Sequence, residues 1–453
     1  MKGIFSFLIL WIPVLGVIAQ GRDQGADLII SHAKVISPPD VVIENANIVI
    51  VGNKIDYIGS GTVKRTAKRY IDAGGRAVIP GMIDAHMHLG GKAVMGGEPT
   101  SSEQGYREWV STEASEKLRD YLRHGFTTVL SLADYWPGIL QVRDKIATGE
   151  FLGPHLLIAG PMISPPNGHL IADTDCMFAE YCAKYGPVRA IADEEQGRAL
   201  VRELARAHVD GIKIAYEPAY VAFNTGRQSG RFAPGVFKAL VEEAHGHQLP
   251  VWVHAYPVSY ALEAMQLGVD GLAHGPGLVS AGATAEQMKE FIKVAKEKSI
   301  PINTTLADQT VYPDLWGSEQ FVSFGGTQFV DMVKQGHALE RSRQDVMEFT
   351  RNGLMLAFGT DILGIKWPGD AARLELQRLS ESGLSPMQVL TVVTLNAAKF
   401  VRKEDEIGSI ARGKRADMVI IAGDPLRNID CLNRVDMTIK DGRIAFDYFE
   451  SRP

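Results

Sequence analysis

The spacing of hydrophobic positions changes character twice along the chain. From Asp27 to Ala73, short apolar stretches (LIISHAKVIS, NIVIVGNKIDYIG, RYIDAGG) are broken by Gly, Asn and Asp, as short strands and tight turns require. The same texture returns near the C-terminus in ADMVIIAGDP and VDMTIKDGRIAFD. Two strand-rich pieces at opposite ends are most economically one unit, so residues 20–78 and 407–453 are expected to form a small composite β-sandwich. Across residues 79–406 the pattern becomes apolar runs of strand length alternating with amphipathic helices, the mark of a parallel sheet. Runs can be placed at Met82–His88, Thr127–Leu132, His155–Ile163, Gly211–Tyr216, Pro250–Tyr256, Gly271–His274, Ile300–Leu306 and Leu354–Asp361. A helix through Ala114, Leu118 and Leu122 should stop at Gly125, and another runs through Met288, Phe291, Ile292 and Ala295. Ser385, Pro386 and Gln388 predict an N-cap, a first-position proline and a capping box. The expected fold is therefore α/β: a (β/α)₈ TIM barrel with a small β-sandwich domain built from both chain ends.

Length and composition bound this reading without changing it. The 453 residues, 45% hydrophobic and 22% charged, supply ample core for a barrel and a companion domain. A formal charge of −6 gives no support to nucleic-acid binding. Residues 1–19 join one basic residue to a short apolar run ending in Val17-Ile18-Ala19, which fits a secretory leader and hence a periplasmic or secreted protein. An uncleaved anchor is the alternative, although the run is shorter than the ~20 residues a membrane span needs. The mature chain would carry Cys176, Cys182 and Cys431, an odd number. Cys176 and Cys182 share a polar loop and either bridge or stay free, and none of the three has zinc-site spacing.

The chemistry gathers where the strands end. In PGMIDAHMHLGG, His86 and His88 are two apart, so their rings project from the same face of one strand, as two ligands of one metal must. A lone His-x-His could equally be two ordinary histidines. Four further polar residues are expected to end strands: Lys213 the fourth in GIKIAY, His254 the fifth in VWVHAY, His274 the sixth in GLAHG and Asp361 the eighth in LAFGTD. Reactive residues of a barrel sit at the C-terminal ends of its strands. Taken singly, each of the four reads as a core histidine, a snorkelling lysine or a capping aspartate; six together make a site.

This constellation resembles the amidohydrolase superfamily, in the subtype whose two metals are bridged by a carboxylated lysine. The stretch TLNAAKFVRKEDEIGSIARGKRADMVIIAGDPL is similar to the imidazolonepropionase-related and Xaa-Pro dipeptidase-like branch. The resemblance implies His86 and His88 as ligands of the buried metal, a CO₂-derived carbamate on Lys213 as the bridge, His254 and His274 as ligands of the second metal, and Asp361 as metal-bound general base. It also implies that His169, in PMISPPNGHLIAD, faces substrate, although Asn167 and Leu170 depart from the family's Gly-Gly-His-Gly loop. Nitrogen and carboxylate donors without thiolate suit two divalent ions, zinc first, with manganese, cobalt or iron as alternatives.

A water activated by two metals attacks an amide or an ester carbonyl alike. The expected activity is hydrolysis of a small carbon–nitrogen bond in a dipeptide or N-acyl amino acid, with esterase or lactonase chemistry as the rival. A deaminase is disfavoured because Ala255, Tyr256 and Pro257, not Glu, follow His254. A non-catalytic relative is disfavoured because all six ligand positions are filled. In the loop after Lys213, Tyr216, Arg227 and Arg231 are candidate substrate contacts, an arginine pairing with a free carboxylate or else standing in solvent. The expected partner is a small-molecule substrate, with no nucleic acid, no stable membrane association after processing and a possible homo-oligomer.

Overall fold

The structure, a computed structural model, describes residues 25–90, 102–171, 184–217, 227–307, 337–361 and 367–450. Residues 1–19, expected as a secretory leader, and Cys176 and Cys182 lie outside these. Among the described residues no helix is long and apolar enough to cross a membrane.

Five strands open the described chain: β1 Ala26–Ser37, β2 Val41–Val51, β3 Lys54–Gly59, β4 Ala67–Asp72 and β5 Ala77–Pro80. Ten parallel strands follow: β6 Met82–Met87, β7 Phe126–Ser131, β8 His155–Ile158, β9 Met162–Ser164, β10 Val188–Ala190, β11 Ile212–Ala215, β12 Val251–His254, β13 Gly271–Leu272, β14 Ile302–Asn303 and β15 Leu356–Ala357. The last three, β16 Met418–Ile421, β17 Val435–Lys440 and β18 Arg443–Asp447, return to the first group. The resulting sheet has the order β18-β17-β16-β5-β1-β2-β3, with β4 beside the first half of β1. Both chain ends thus share one hydrogen-bonded sheet rather than two separate ones. One face of it closes over Leu28, Ile30, Ile48, Ile50, Val78, Met418, Ile420 and Ile439, which form a single buried cluster.

The parallel strands form two sheets, β10-β9-β11-β12-β13-β14-β15 and β6-β7-β8. Backbone bonds cross from one to the other beyond the strand ends. Ala85 N donates to Phe358 O at 3.0 Å, Thr360 N to His86 O at 3.1 Å and Asp210 N to Ile158 O at 2.7 Å. The run expected as one strand, His155–Ile163, is two strands, β8 and β9. Gly160 between them sits at φ +78°, and Pro161 has no N–H to continue a ladder. The other seven runs hold strands that are mostly shorter than the apolar stretch, because their last residues leave the ladder to form the site.

The helices follow their sequence signals. Ser115–Arg123 ends two residues before Gly125, which takes φ +81°. Ala285–Glu297 buries Met288, Phe291, Ile292 and Ala295, and Pro386–Thr391 carries the Ser385/Gln388 capping box.

The terminal sheet is anchored to the parallel strands by polar contacts. Thr438 Oγ1 on β17 donates to Leu122 O at 2.7 Å, in a fully buried position. His155 Nε2 lies 3.2 Å from Asp417 and 3.5 Å from Asp441, with Arg415 Nη1 3.2 Å from its Nδ1. Although those three residues could chelate a cation, Arg415 and the Lys440 ammonium 3.6 Å from Asp441 already supply positive charge, so we read the cluster as an ion-pair network. Thr438→Val keeps the side-chain shape and deletes one bond. It should cost about 1 kcal/mol in chemical denaturation while leaving activity unchanged; a loss of activity without loss of stability would contradict the anchoring role.

Candidate metal centre

β6 ends in alternation, so Asp84, His86 and His88 share one face. His86 Nδ1 lies 2.9 Å from Ala273 O and His88 Nδ1 2.9 Å from Ala133 O. A carbonyl only accepts, so both rings carry their proton on Nδ1 and offer the Nε2 lone pair inward. Both Nε2 atoms meet Asp361 Oδ1, at 3.0 Å from His86 and 2.9 Å from His88. His86 Nε2 is fully buried and makes no hydrogen bond. Two lone-pair nitrogens and a carboxylate oxygen converging in this way fit a metal ion, and His86, His88 and Asp361 are one of the groups whose donor atoms lie within 4.8 Å of one another.

The second half of the site lies on β11 to β13. His254 ends β12, and His274 follows β13 by two residues; His254 Nδ1 and His274 Nε2 are 3.0 Å apart. His274 Nδ1 is 3.3 Å from Thr305 Oγ1 and 3.5 Å from Asp361 Oδ2, which joins the two halves. Lys213 lies within β11 rather than at its end, and is 2% exposed. Burial lowers its pKa to about 7, against the pull of Asp361, so a neutral amine is accessible. Burial likewise brings His86 and His254 down to about 4 and His274 well below the usual range. Burial pushes Asp361 the other way, but His86 and His274 hold it below the usual carboxylate range.

Buried carboxylates place these ligands. Asp84 accepts from His86 N, Thr360 N and Tyr121 Oη, each at 3.1 Å, and from Thr360 Oγ1 at 2.7 Å. Asp134 accepts from Leu89 N at 3.0 Å and Gly90 N at 3.1 Å, holding the turn after His88. Glu375 accepts from Ala307 N at 2.5 Å, behind Thr305. Asp361 and Thr305 adopt φ +49° and +44°, a region that costs a non-glycine residue about 1 kcal/mol or more. The Asp361 N to His86 O bond of 2.7 Å and the Thr305 N to Gly359 O bond of 3.1 Å hold them there. Gly359 is required by contact: a Cβ would lie 2.7 Å from that of His86.

Residues 77–445 match the amidohydrolase family. The chain belongs to the amidohydrolase family. Ochratoxinase of Aspergillus niger is 24% identical to this amidohydrolase over 89% of its chain and 83% of the relative. An imidazolonepropionase of Fusobacterium nucleatum is 24% identical, covering 90% and 93%. Among solved structures, a Xaa-Pro dipeptidase with methionine in its active site superposes with TM-score 0.74 at 25% identity, covering 92% of this chain and 99% of that one. Another amidohydrolase gives TM-score 0.77 at 24% identity, covering 93% and 99%.

The expected substrate contacts of this amidohydrolase fare unevenly. His169 is buried at the site, its ring stacked on His254 with centroids 4.2 Å apart. Tyr216 points the other way. It is buried against Phe237 and Tyr260, and burial together with a Glu263 hydrogen bond raises its pKa. Arg231 is exposed and donates to Tyr260 Oη at 2.8 Å, a surface contact rather than a substrate clamp. Arg227 is half-buried on the segment whose Gly230 N bonds Asn167 O at 2.7 Å, beside the His169 loop. Glu217 was overlooked in the sequence. It is buried, 3.1 Å from His169 Nδ1 and 3.2 Å from His254 Nε2; burial opposes its ionisation, but the two histidines bring its pKa down to about 2. The strand's period would have found it, because Lys213, Ala215 and Glu217 share a face and Tyr216 does not.

Burial raises Glu375 from 4.5 to about 8. A carboxyl raised in the folded state costs nothing below its unfolded pKa and costs progressively more as pH rises to the folded value. Glu375→Gln should therefore match wild type near pH 4.5 and become the more stable protein by pH 8–9, by at most about 5 kcal/mol. Thermal melts across that range measure the difference; a gap independent of pH would refute the assignment.

Proposed function

We propose that this amidohydrolase hydrolyses a small carbon–nitrogen amide, a dipeptide or N-acyl amino acid, with two divalent metal ions, zinc first, in a closed (β/α)₈ barrel. Closure is supported by the backbone bonds that run from Ala85 and His86 to Phe358, Thr360 and Asp361. The observation that carries the metal reading is the convergence of His86 Nε2, His88 Nε2 and Asp361 Oδ1, with both imidazole tautomers set by backbone carbonyls. In this reading His86 and His88 hold one ion and His254 and His274 the other. Lys213, buried and readily neutral, could add CO₂ at its amine with loss of a proton, which would supply an anionic oxygen donor to the centre.

When bound, the ions would activate a water and polarise the substrate carbonyl. Asp361, its carboxylate held ionised, would accept a proton from the attacking water and return it to the leaving nitrogen. His169, stacked on His254, would contact substrate on that side. Arg227, on the segment bonded to the His169 loop, is the candidate partner for a free substrate carboxylate. The likeness to a Xaa-Pro dipeptidase supports a substrate of dipeptide size.

Elemental analysis should find close to two divalent ions per chain. Lys213→Ala should lose metal, whereas Asp361→Asn should keep most of it and lose about 10²- to 10⁴-fold in kcat. Full activity in a metal-free preparation would sink the metal reading. A panel of dipeptides, N-acyl amino acids, lactones and aryl esters tests the bond, and turnover confined to esters or lactones would refute the amidase reading. Arg227→Ala should raise KM for free-carboxylate substrates about tenfold or more and leave their esterified counterparts unchanged.

A further inference from the structure

Glu217 is buried at the site, and the chemistry above gives it no task. It follows β11 on the face shared with Lys213. Its Oε2 lies 3.2 Å from His254 Nε2 and its Oε1 3.1 Å from His169 Nδ1. A carboxylate oxygen accepts, so the His254 proton belongs on Nε2 and the lone pair on Nδ1. The partners beyond agree with that tautomer. His254 Nδ1 faces His274 Nε2 at 3.0 Å, and His274 Nδ1 faces the Thr305 hydroxyl at 3.3 Å. A consistent chain then runs from Thr305 O–H to His274 Nδ1, from His274 Nε2–H to His254 Nδ1, and from His254 Nε2–H to Glu217. A metal takes the place of the one proton between the two imidazoles and requires both facing nitrogens as lone pairs. The His254 half of that requirement is set by Glu217.

We propose that Glu217 is a positioning residue for the second metal: by accepting the Nε2–H of His254 it keeps Nδ1 free as a ligand atom, and through His169 it links that ligand to the loop bordering substrate. This rests on the reading that His254 and His274 hold a divalent ion. The acceptor His254 Nε2 meets is Glu217 Oε2, at 3.2 Å and buried. Metal ligands whose second nitrogen loses such a partner bind their ion about 10- to 100-fold more weakly.

Zinc titration of metal-free wild type and Glu217→Gln against a competing chelator tests this. The variant presents an amide that can donate towards His254 Nε2 and so favours the opposite tautomer. The first zinc should bind as in wild type, and the second about 10- to 100-fold more weakly. Saturating zinc should restore most of kcat, which damage to the fold would not allow. If both proteins bind two zinc ions equally tightly, Glu217 does not position the ligand while the two-metal reading stands. If wild type binds none, both fall. Nitrogen-15 NMR of histidine-labelled, metal-free wild type needs no variant: the His254 proton should be on Nε2, and a proton on Nδ1 overturns the proposal even if Glu217→Gln does not fold.

Discussion

Burial of titratable groups is the constraint on which the centre depends. His86, His254, His274, Lys213, Asp361 and Glu217 are all nine-tenths buried or more, within reach of one another's charge. Desolvation drives imidazole and amine alike towards their neutral forms, and neutral imidazole nitrogens are ligands whereas imidazolium is not. The two carboxylates stay ionised because the histidines surround them. What results is a set of lone pairs with residual negative charge, which a divalent cation neutralises. The same dry setting that is costly for the apo protein is what would strengthen an ion's hold on substrate.

Such an arrangement has to be enforced, since left alone the groups would move apart or take up protons. Enforcement comes mostly from backbone. Ala273 and Ala133 carbonyls fix the tautomers of His86 and His88, and Asp84 binds the backbone at both His86 and Thr360. Asp361 and Thr305 are held in left-handed conformations at the ends of the segments they close. One buried carboxyl thus serves each turn: Asp84 for the Asp361 segment, Asp134 for the turn after His88 and Glu375 for the segment after β14. For Asp84 and Asp134 several donors each offset part of the cost of burial, whereas the cost at Glu375 is left largely standing.

Much of this was legible in the sequence. Apolar runs located the parallel strands because strands buried on both faces need continuous hydrophobicity, and the His-x-His spacing put His86 and His88 on one face. Strand ends were overestimated for a physical reason: His274 and Asp361 continue the apolar run in sequence but leave the ladder to aim their side chains. The split of His155–Ile163 was signalled by Gly160-Pro161 and masked by the hydrophobic residues on either side. The same period-two rule that pairs His86 with His88 places Glu217, not Tyr216, on the face of Lys213, a distinction that residue type alone does not make. The partners of Asp84 and Glu375, 276 and 68 residues away, are set by tertiary approach and have no local signature.

The centre also explains where selectivity has to reside. The strands and their carboxylate braces leave the ring of buried histidines little freedom, so the ring itself offers little basis for choosing among carbonyls. Choice among substrates falls to the loops, and two of these are tied together: Gly230 bonds Asn167, joining the segment of Arg227 to that of His169. His169 in turn packs on His254 and contacts Glu217. A displacement of the His169 loop would therefore be felt at His254 through a single carboxylate. The loop and the electrostatics around His254 are thereby coupled through Glu217, so the segment that would meet a substrate and the buried ring beneath it share one contact.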